Sequence, residues 1–528
     1  MRISLAIFII LIGISLLTYR NGLRGEFMHE DTAYLLSSSF RVPAGAMKDA
    51  LLPRADDNFY RPLTRIYDSW TYQRFGENML PHRLINIICL ALTGVLVFLL
   101  VKNITSHTGT GLLASILFCV HPINSTPVLY VAMPVMPYAT FFLLSLLCYT
   151  DFFERRQRWD LLILSGLFFA LSFLVHEITL CLPVYVFLYA WQLRGSGWRT
   201  AVLHTFPYLL IALAYLIFRL TFVSNTMDVI GLTGYITEEN GVTVGSLLCT
   251  IIRNIALYTG KLFWPEGILW NLRVADQTHI SLPWLLSPLA AAGALIWIFR
   301  RSWRKSIDLF LILWFVCGFI MLAATSFVHP SSGIGIEPHW FIASSVGFFG
   351  LTARLMIRLR ETRLSDRIWK AGLGCVVLFL GYFTNTYTLR WQYERPYLQY
   401  WLAHDPSADL PNFWLALIYH KEGNHQLAAT LYCRALTGGY IDWEVYYNLG
   451  NIYHQNGFYD KAIGYYNQAH RWNPDSSAVH HNAAMSYFAL GNARRAEELL
   501  LRAQKFDPES TTVRDSLEKV RRYLESHE

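Results

Sequence analysis

Charge is what this chain has least of. Only 15% of its 528 residues are Asp, Glu, Lys or Arg, against 54% hydrophobic, and the mean hydropathy is positive. No ordinary soluble domain of this length has that balance, whereas a multi-span membrane protein does. The eight cysteines fall singly, seven of them in apolar segments, with no CxxC and no metal-ligand spacing. That excludes a disulfide framework and leaves small buried hydrophobes. A Gly-rich phosphate loop is also missing, which argues against a soluble nucleotide ligand. The net charge of +7 is modest and fits cytoplasmic loops better than nucleic-acid binding.

What is present is a series of long apolar runs. A membrane-crossing helix needs about 20 mostly apolar residues, and such stretches lie near 3–19, 82–102, 110–131, 134–151, 160–176, 177–192, 201–222, 282–299, 306–327, 340–358 and 368–388. The first has no small-x-small cleavage site, so it reads as an uncleaved span. A further stretch, 243–264, carries Arg253 and Lys261. The basic connections "ERRQRW", "QLRGSGWR", "RRSWRK" and "RLRETRLSDR" all face the cytoplasm if the N-terminus is inside and eleven segments cross. The 243–264 stretch must then dip in and return, since a true twelfth crossing would put "RRSWRK" outside. The expected fold class is all-α: a polytopic membrane domain over 1–388 with a large first external loop, 20–81.

After Thr388 the composition turns polar, Tyr-rich and periodic. Leu415, Leu449 and Ala483 stand 34 residues apart, as do Tyr419, Tyr453 and Tyr487, and Gly423, Gly457 and Gly491. Ala428, Ala462 and Ala496 keep the offset, as do Ala435, Ala469 and Ala503, while Pro474 and Pro508 close the second and third units and Tyr440 the first. A 34-residue period with small residues at the helix crossings is the tetratricopeptide signature, and each unit buries its face on the next. The expected order is a linker over 389–410, three repeats over 411–510 and a capping helix over 511–528. The concave face of such a stack suits an extended peptide.

On this topology, residues that are unusual in membranes emerge on one side. The first external loop holds the adjacent acids Glu30 and Asp31 in "FMHED", together with Tyr60 and Arg61; His121 ends the third span, His176 and Glu177 occupy the next external turn, and Glu337 and His339 open the penultimate span. Polar groups at bilayer depth are costly and face protein-lined cavities, so the convergence points to an outward-facing active site. The histidines show no metal-ligand spacing, and no metal or other cofactor is expected.

Five motifs, "FMHED", "YRPLTRIYDSW", "HPINSTPV", "HEITLCLP" and "PHWFIASSVGF", together with the tail, make the chain resemble the membrane-embedded O-mannosyltransferases with tetratricopeptide tails. These are a branch of the lipid-phosphate-sugar-dependent glycosyltransferases of GT-C fold, and the resemblance covers most of the chain. It implies that an acid in the first external loop acts as general base on an acceptor hydroxyl, a poor nucleophile until a carboxylate takes its proton. Carried over, the base is Asp31 or its neighbour Glu30. Arg61 suits the donor phosphate because guanidinium binds phosphate oxygens bidentately, with Tyr60 beside it; an interfacial anchor is the alternative. Arg253 and Lys261 fit phosphate contacts or snorkelling side chains. His176 stands where the family has Lys and can donate to phosphate or relay a proton. Glu177 orients it or meets the acceptor, unless the two are a buried structural ion pair. His339 is assigned to the donor phosphate and His121 and Glu337 to the substrate, with an interfacial helix cap as the alternative for Glu337 and His339. One departure stands out: where the relatives have an acid and then Gly-Arg after the His-Pro pair, this chain has Thr126, Met133 and Pro134, which bears on sugar or acceptor specificity.

The resemblance thus implies an inverting transferase moving a mannose-like sugar from a polyprenyl phosphate to a hydroxyl of an exported protein. The partners are that lipid-linked sugar, membrane lipids and an acceptor protein held by the repeats, and nucleic acid is not among them. A non-catalytic, membrane-anchored scaffold for envelope proteins is the second reading. A transporter would need polar residues at the bilayer midplane, where these spans are apolar. The expected location is a bacterial inner membrane with active site and tail in the periplasm, the endoplasmic reticulum being the alternative.

Overall fold

The computed structural model describes residues 2–28, 31, 50–53, 60–131, 136–154, 158–222, 258–266, 268, 306–326, 338–362, 365–440 and 442–527. Every regular element among them is a helix, as the all-α expectation requires. The chain divides into two compact units, Met1–Tyr397 and Leu398–Glu528.

In the first unit the helices are α1 (Arg2–Tyr19), α2 (Pro62–Phe75), α3 (Met79–Thr105), α4 (Thr108–Val120), α5 (Ser125–Leu129), α6 (Met136–Glu154), α7 (Trp159–Phe173), α8 (Leu182–Leu188), α9 (Trp198–Phe222), α10 (Ile307–Ser326), α11 (Ile342–Thr362) and α12 (Asp366–Arg390). Among the described residues α1, α3, α6, α9, α11 and α12 are long and apolar enough to cross a membrane, and α4 with Pro122–Leu129 makes a seventh candidate bent by 56°. The chain is thus a multi-pass membrane protein. Trp159–Phe173 and Glu177–Leu193 are apolar but shorter, α10 runs for 20 residues, and the expected segments 243–257 and 282–299 lie outside the described residues.

The bend has a local cause. His121 precedes Pro122, whose ring disfavours a helical residue before it, and His121 is extended at φ −74° and ψ 132°. Its Nδ1 accepts from the Ile123 amide at 3.1 Å and so starts the next turn. His176 does the same after α7, accepting from the Ile178 amide at 3.3 Å. Close packing supplies the rest: a Cβ on Gly347 would lie 2.5 Å from the Leu311 carbonyl oxygen, and one on Gly111 2.7 Å from that of Phe98. Membrane helices gain van der Waals contact in this way where lipid offers no hydrophobic drive.

The region expected as a linker contains the end of α12 and a further helix, α13 (Glu394–His404). The repeats follow as α14 (Asp409–Lys421) with α15 (His425–Thr437), α16 (Trp443–Gln455) with α17 (Tyr459–Trp472), and α18 (Ser477–Ala489) with α19 (Ala493–Phe506), closed by α20 (Thr511–His527). Corresponding helices start at 409, 443 and 477 and at 425, 459 and 493, the 34-residue spacing of the sequence. Gly423, Gly457 and Gly491 take φ of 79°, 79° and 83° between paired helices. Ala428, Ala462 and Ala496 are wholly buried where the pairs cross.

Gly450 and Gly464 separate two effects. Both are helical, but a Cβ on Gly450 would sit 2.5 Å from the Tyr466 ring, whereas one on Gly464 meets nothing within 4 Å. Tyr466 is buried and its hydroxyl donates to Asn451 Oδ1 at 2.8 Å, so the ring cannot easily yield. Gly450→Ala is expected to destabilise the repeats by about 1–3 kcal/mol through overpacking. Gly464→Ala should stabilise them by roughly 0.5–1 kcal/mol through helix propensity. Thermal unfolding of the two variants checks both signs.

Candidate active site

Asp31 is completely buried. Its Oδ2 accepts from the Met28 amide at 3.1 Å and its Oδ1 from the Val131 amide at 2.9 Å, so one carboxylate ties its own turn to a residue 100 positions away. The floor beneath is α3. Arg83, fully buried, donates through Nε to the Leu129 carbonyl (3.2 Å), through Nη1 to Gly22 (2.6 Å) and Arg24 (2.9 Å), and through Nη2 to Trp391 (3.0 Å). One turn on, Asn86 Nδ2 donates to the carbonyls of Val128 (3.1 Å) and Tyr130 (3.3 Å), and Asn86 Oδ1 accepts from the Tyr67 hydroxyl at 3.1 Å. Asp68, next to Tyr67 on α2, interacts electrostatically with Asp31.

A second cluster sits at the start of α2. Arg61 occupies the position before Pro62 at the start of the helix, and the turn is seated by Leu63 N–H on the Leu174 carbonyl (3.0 Å) and by the Thr64 hydroxyl on that of Val175 (3.2 Å). This brings Arg61 onto Glu177 in a two-pronged ion pair, Nε to Oε2 at 3.0 Å and Nη2 to Oε1 at 2.7 Å. Arg219, from the last turn of α9, reaches the same carboxylate at 3.9 Å, and His176 Nδ1 lies 3.8 Å from its other oxygen. Two guanidinium groups share one carboxylate, so the three charges sum to +1. Tyr60 packs its ring on Phe218 at 4.9 Å and donates its hydroxyl to the Leu51 carbonyl at 2.8 Å.

One short helix therefore connects both clusters. Arg61 and Asp68 are seven residues apart, about 10 Å of rise and almost two full turns, which puts them on one side of α2. The "YRPLTRIYDSW" stretch carries a cation at one end and an acid two turns on.

The remaining candidates are placed elsewhere or are not described. His121 Nε2 bonds the Leu262 carbonyl at 3.0 Å while Nδ1 caps Ile123; both ring nitrogens thus serve backbone, and the geometry makes this histidine a cap. Lys261 Nζ donates to the Glu266 carbonyl. Glu30, Arg253, Glu337, Met133 and Pro134 lie outside the described residues, as does the side chain of His339. Thr126 Oγ1 lies 3.5 Å from the Tyr387 hydroxyl. Among the described residues no group of three or more His, Cys, Asp or Glu is arranged to hold a metal ion. Sequence reasoning missed Arg83, Asn86, Asp68 and Arg219; for Arg219 a signal existed, a cation near the end of an apolar span.

Residues 69–223 match the model of the dolichyl-phosphate-mannose-protein mannosyltransferase family, and 443–476 and 477–510 each match a tetratricopeptide repeat. A stretch of the membrane unit is thus similar to that mannosyltransferase family and two stretches of the tail to tetratricopeptide repeats, the combination the resemblance implied. The family match takes in Arg83, Asn86, Glu177 and Arg219, while Asp31, Tyr60 and Arg61 precede it. No curated protein matches the chain. Among solved structures, the first tetratricopeptide domain of human RPAP3 is 19% identical and aligns over 23% of this chain and 95% of its own, at a TM-score of 0.22. A MamA fragment from Desulfovibrio magneticus RS-1 is 16% identical over 33% of this chain and 86% of its own, at 0.24. The Cut9-Hcn1 structure is 14% identical over 90% of this chain and 98% of its own, at 0.24. Similarities this distant carry no argument about function.

Asp68 gives the site a pH signature. Burial, and then the negative charge of Asp31, push its carboxyl well above the ordinary value of 3.8, and its Oδ1 has no partner among the described residues. Between the ordinary and the raised value the folded protein holds a proton that the unfolded chain releases, so folding stability falls as pH rises across that window. Asp68→Asn is expected to melt higher than wild type at pH 7, and the gap to close as pH drops below 3.8. Melting temperature against pH in detergent checks this; a constant gap would mean that Asp68 titrates normally.

Proposed function

We propose that the membrane domain transfers a mannose-like sugar from a polyprenyl phosphate to a hydroxyl group of an exported protein, which the repeats hold close by. Asp31 takes the proton of the acceptor hydroxyl as its oxygen attacks the anomeric carbon. A new carbon–oxygen bond forms, the bond from that carbon to the phosphate oxygen breaks, and its electron pair leaves with the lipid phosphate. One displacement with one base inverts the anomeric centre. Arg61 and Arg219 neutralise the leaving phosphate, and Glu177 holds both guanidinium groups in place before the donor arrives. The repeats act by raising the local concentration of the acceptor.

The observation that carries this reading is the linkage through α2 of a buried, amide-bonded carboxylate to a pair of arginines with surplus positive charge. In a family that handles lipid-linked mannose, those are the two chemical requirements of the reaction. The basic-loop pattern favours an outward-facing site, in a bacterial inner membrane or in the endoplasmic reticulum. His121 has no part in this mechanism, and we assign it no metal.

Comparison of exported proteins by mass spectrometry, from cells with and without the gene, tests the activity. Loss of hexose from specific peptides supports it, and an unchanged glycan pattern favours the scaffold. Asp31→Asn is expected to abolish transfer in a protein that still folds. Arg219→Gln, which removes one phosphate partner, should lower kcat/KM for the donor by about 10- to 100-fold, the worth of a lost charge-assisted hydrogen bond. Turnover retained by Asp31→Asn would remove that residue from the chemistry.

A further inference from the structure

The amide that holds Asp31 Oδ1 lies one residue past the last helical bond of α5, Tyr130 N–H on the Thr126 carbonyl at 2.9 Å. Val131 lies just past α5, which is only five residues long, so the direction of its N–H has to be set from outside. The peptide unit joining Tyr130 to Val131 is planar and trans, and its C=O and N–H therefore point in opposite directions. Asn86 Nδ2 binds the Tyr130 carbonyl at 3.3 Å at one edge of that unit, and Asp31 Oδ1 receives the Val131 amide at 2.9 Å at the opposite edge. The second hydrogen of the same Nδ2 goes to the Val128 carbonyl at 3.1 Å, which fixes the chain two residues earlier. The Tyr67 hydroxyl, donating to Asn86 Oδ1 at 3.1 Å, settles which end of the side-chain amide faces the backbone.

We propose that Asn86 is a positioning residue for Asp31: by fixing the Tyr130–Val131 peptide plane it aims the amide that orients the carboxylate, and Tyr67 in turn orients Asn86. The inference rests on Asp31 being the base. It assigns to α3 a direct influence on the reacting acid through a single peptide unit. Arg83 does not substitute for it, because its bonds go to the carbonyls of Leu129, Gly22, Arg24 and Trp391 and none to the peptide that Asp31 uses.

The test uses the full-length protein in detergent, with dolichyl-phosphate mannose as donor and a threonine-rich peptide as acceptor. Asn86→Leu is expected to lower kcat at least tenfold, to leave the donor KM within about twofold, and to move the acid limb of the kcat/KM profile to higher pH. The reason is that a carboxylate deprived of an aimed amide is a less stable anion. Tyr67→Phe should move the limb the same way by less. An unchanged limb with normal kcat per folded molecule overturns the proposal. A second measurement needs no turnover: melting temperatures of Asp31→Asn, Asn86→Leu and the double variant. Residues that act through one peptide are non-additive, so the double variant should lose less than the two singles together. Additive losses overturn the positioning role. Turnover by Asp31→Asn would instead overturn the base assignment, and the cycle would still decide whether Asn86 holds residue 31 in place.

Discussion

The membrane unit depends on one buried cation. Arg83 spends its guanidinium on four backbone carbonyls, drawn from the turn after α1, from α5 and from the turn after α12. Only Arg can do this, since its donors form a rigid planar fork, whereas a lysine ammonium is a single point. Taking such an ion out of water costs several kcal/mol, and hydrogen bonds involving a charged group return about 1.5–3 kcal/mol each. Gain and cost are thus of similar size, and what remains is geometry. The fork fixes three remote chain segments at one point, and the Asp31 site is built on two of them.

From that point the arrangement spreads in steps that each use backbone. Asn86, one turn from Arg83, bonds Val128 and Tyr130; Val131 and Met28 bond Asp31; Tyr67 ties α2 to Asn86; Thr64 and Leu63 tie the other end of α2 to residues 174 and 175. In the proposed reaction the base and the cations that receive the phosphate must lie on opposite faces of the anomeric carbon. On α2, two turns set Arg61 about 10 Å of rise from Asp68, whose charge acts on Asp31, so the helix joins the arginine cluster to the surroundings of the base.

How much of this could be read beforehand follows from what kind of partner each residue has. The repeats were fully legible, because each one packs on a copy of itself and the 34-residue period is written in side chains. Apolar runs marked several of the long helices, and Arg61, His176 and Glu177, which the sequence reading groups together, do lie around one carboxylate. Arg83, Asn86 and the true employment of His121 were not legible. Their partners are backbone carbonyls and amides, which every residue possesses and no sequence displays. Asp68 escaped for another reason: its significance comes from Asp31, 37 positions earlier, and from a burial that a polar-looking helix does not announce.

The two units answer the same packing problem in different solvents. In the repeats, water drives apolar faces together, and small residues such as Ala428, Ala462 and Ala496 only need to let the helices approach. A lipid-embedded helix gains nothing by leaving one apolar neighbour for another, so burial alone cannot select a register. The membrane unit selects it with polar clamps, namely Arg83 on carbonyls, Asn86 on the loop before α6, and Ser165 on α7 bonded to Ser145 on α6 and to Tyr208 on α9 at 2.7–3.1 Å. These groups must be satisfied inside the bundle because lipid offers no alternative partner. The same constraint that forces them to pair therefore places aimed, dry dipoles around Asp31, which is the environment that acid–base chemistry requires.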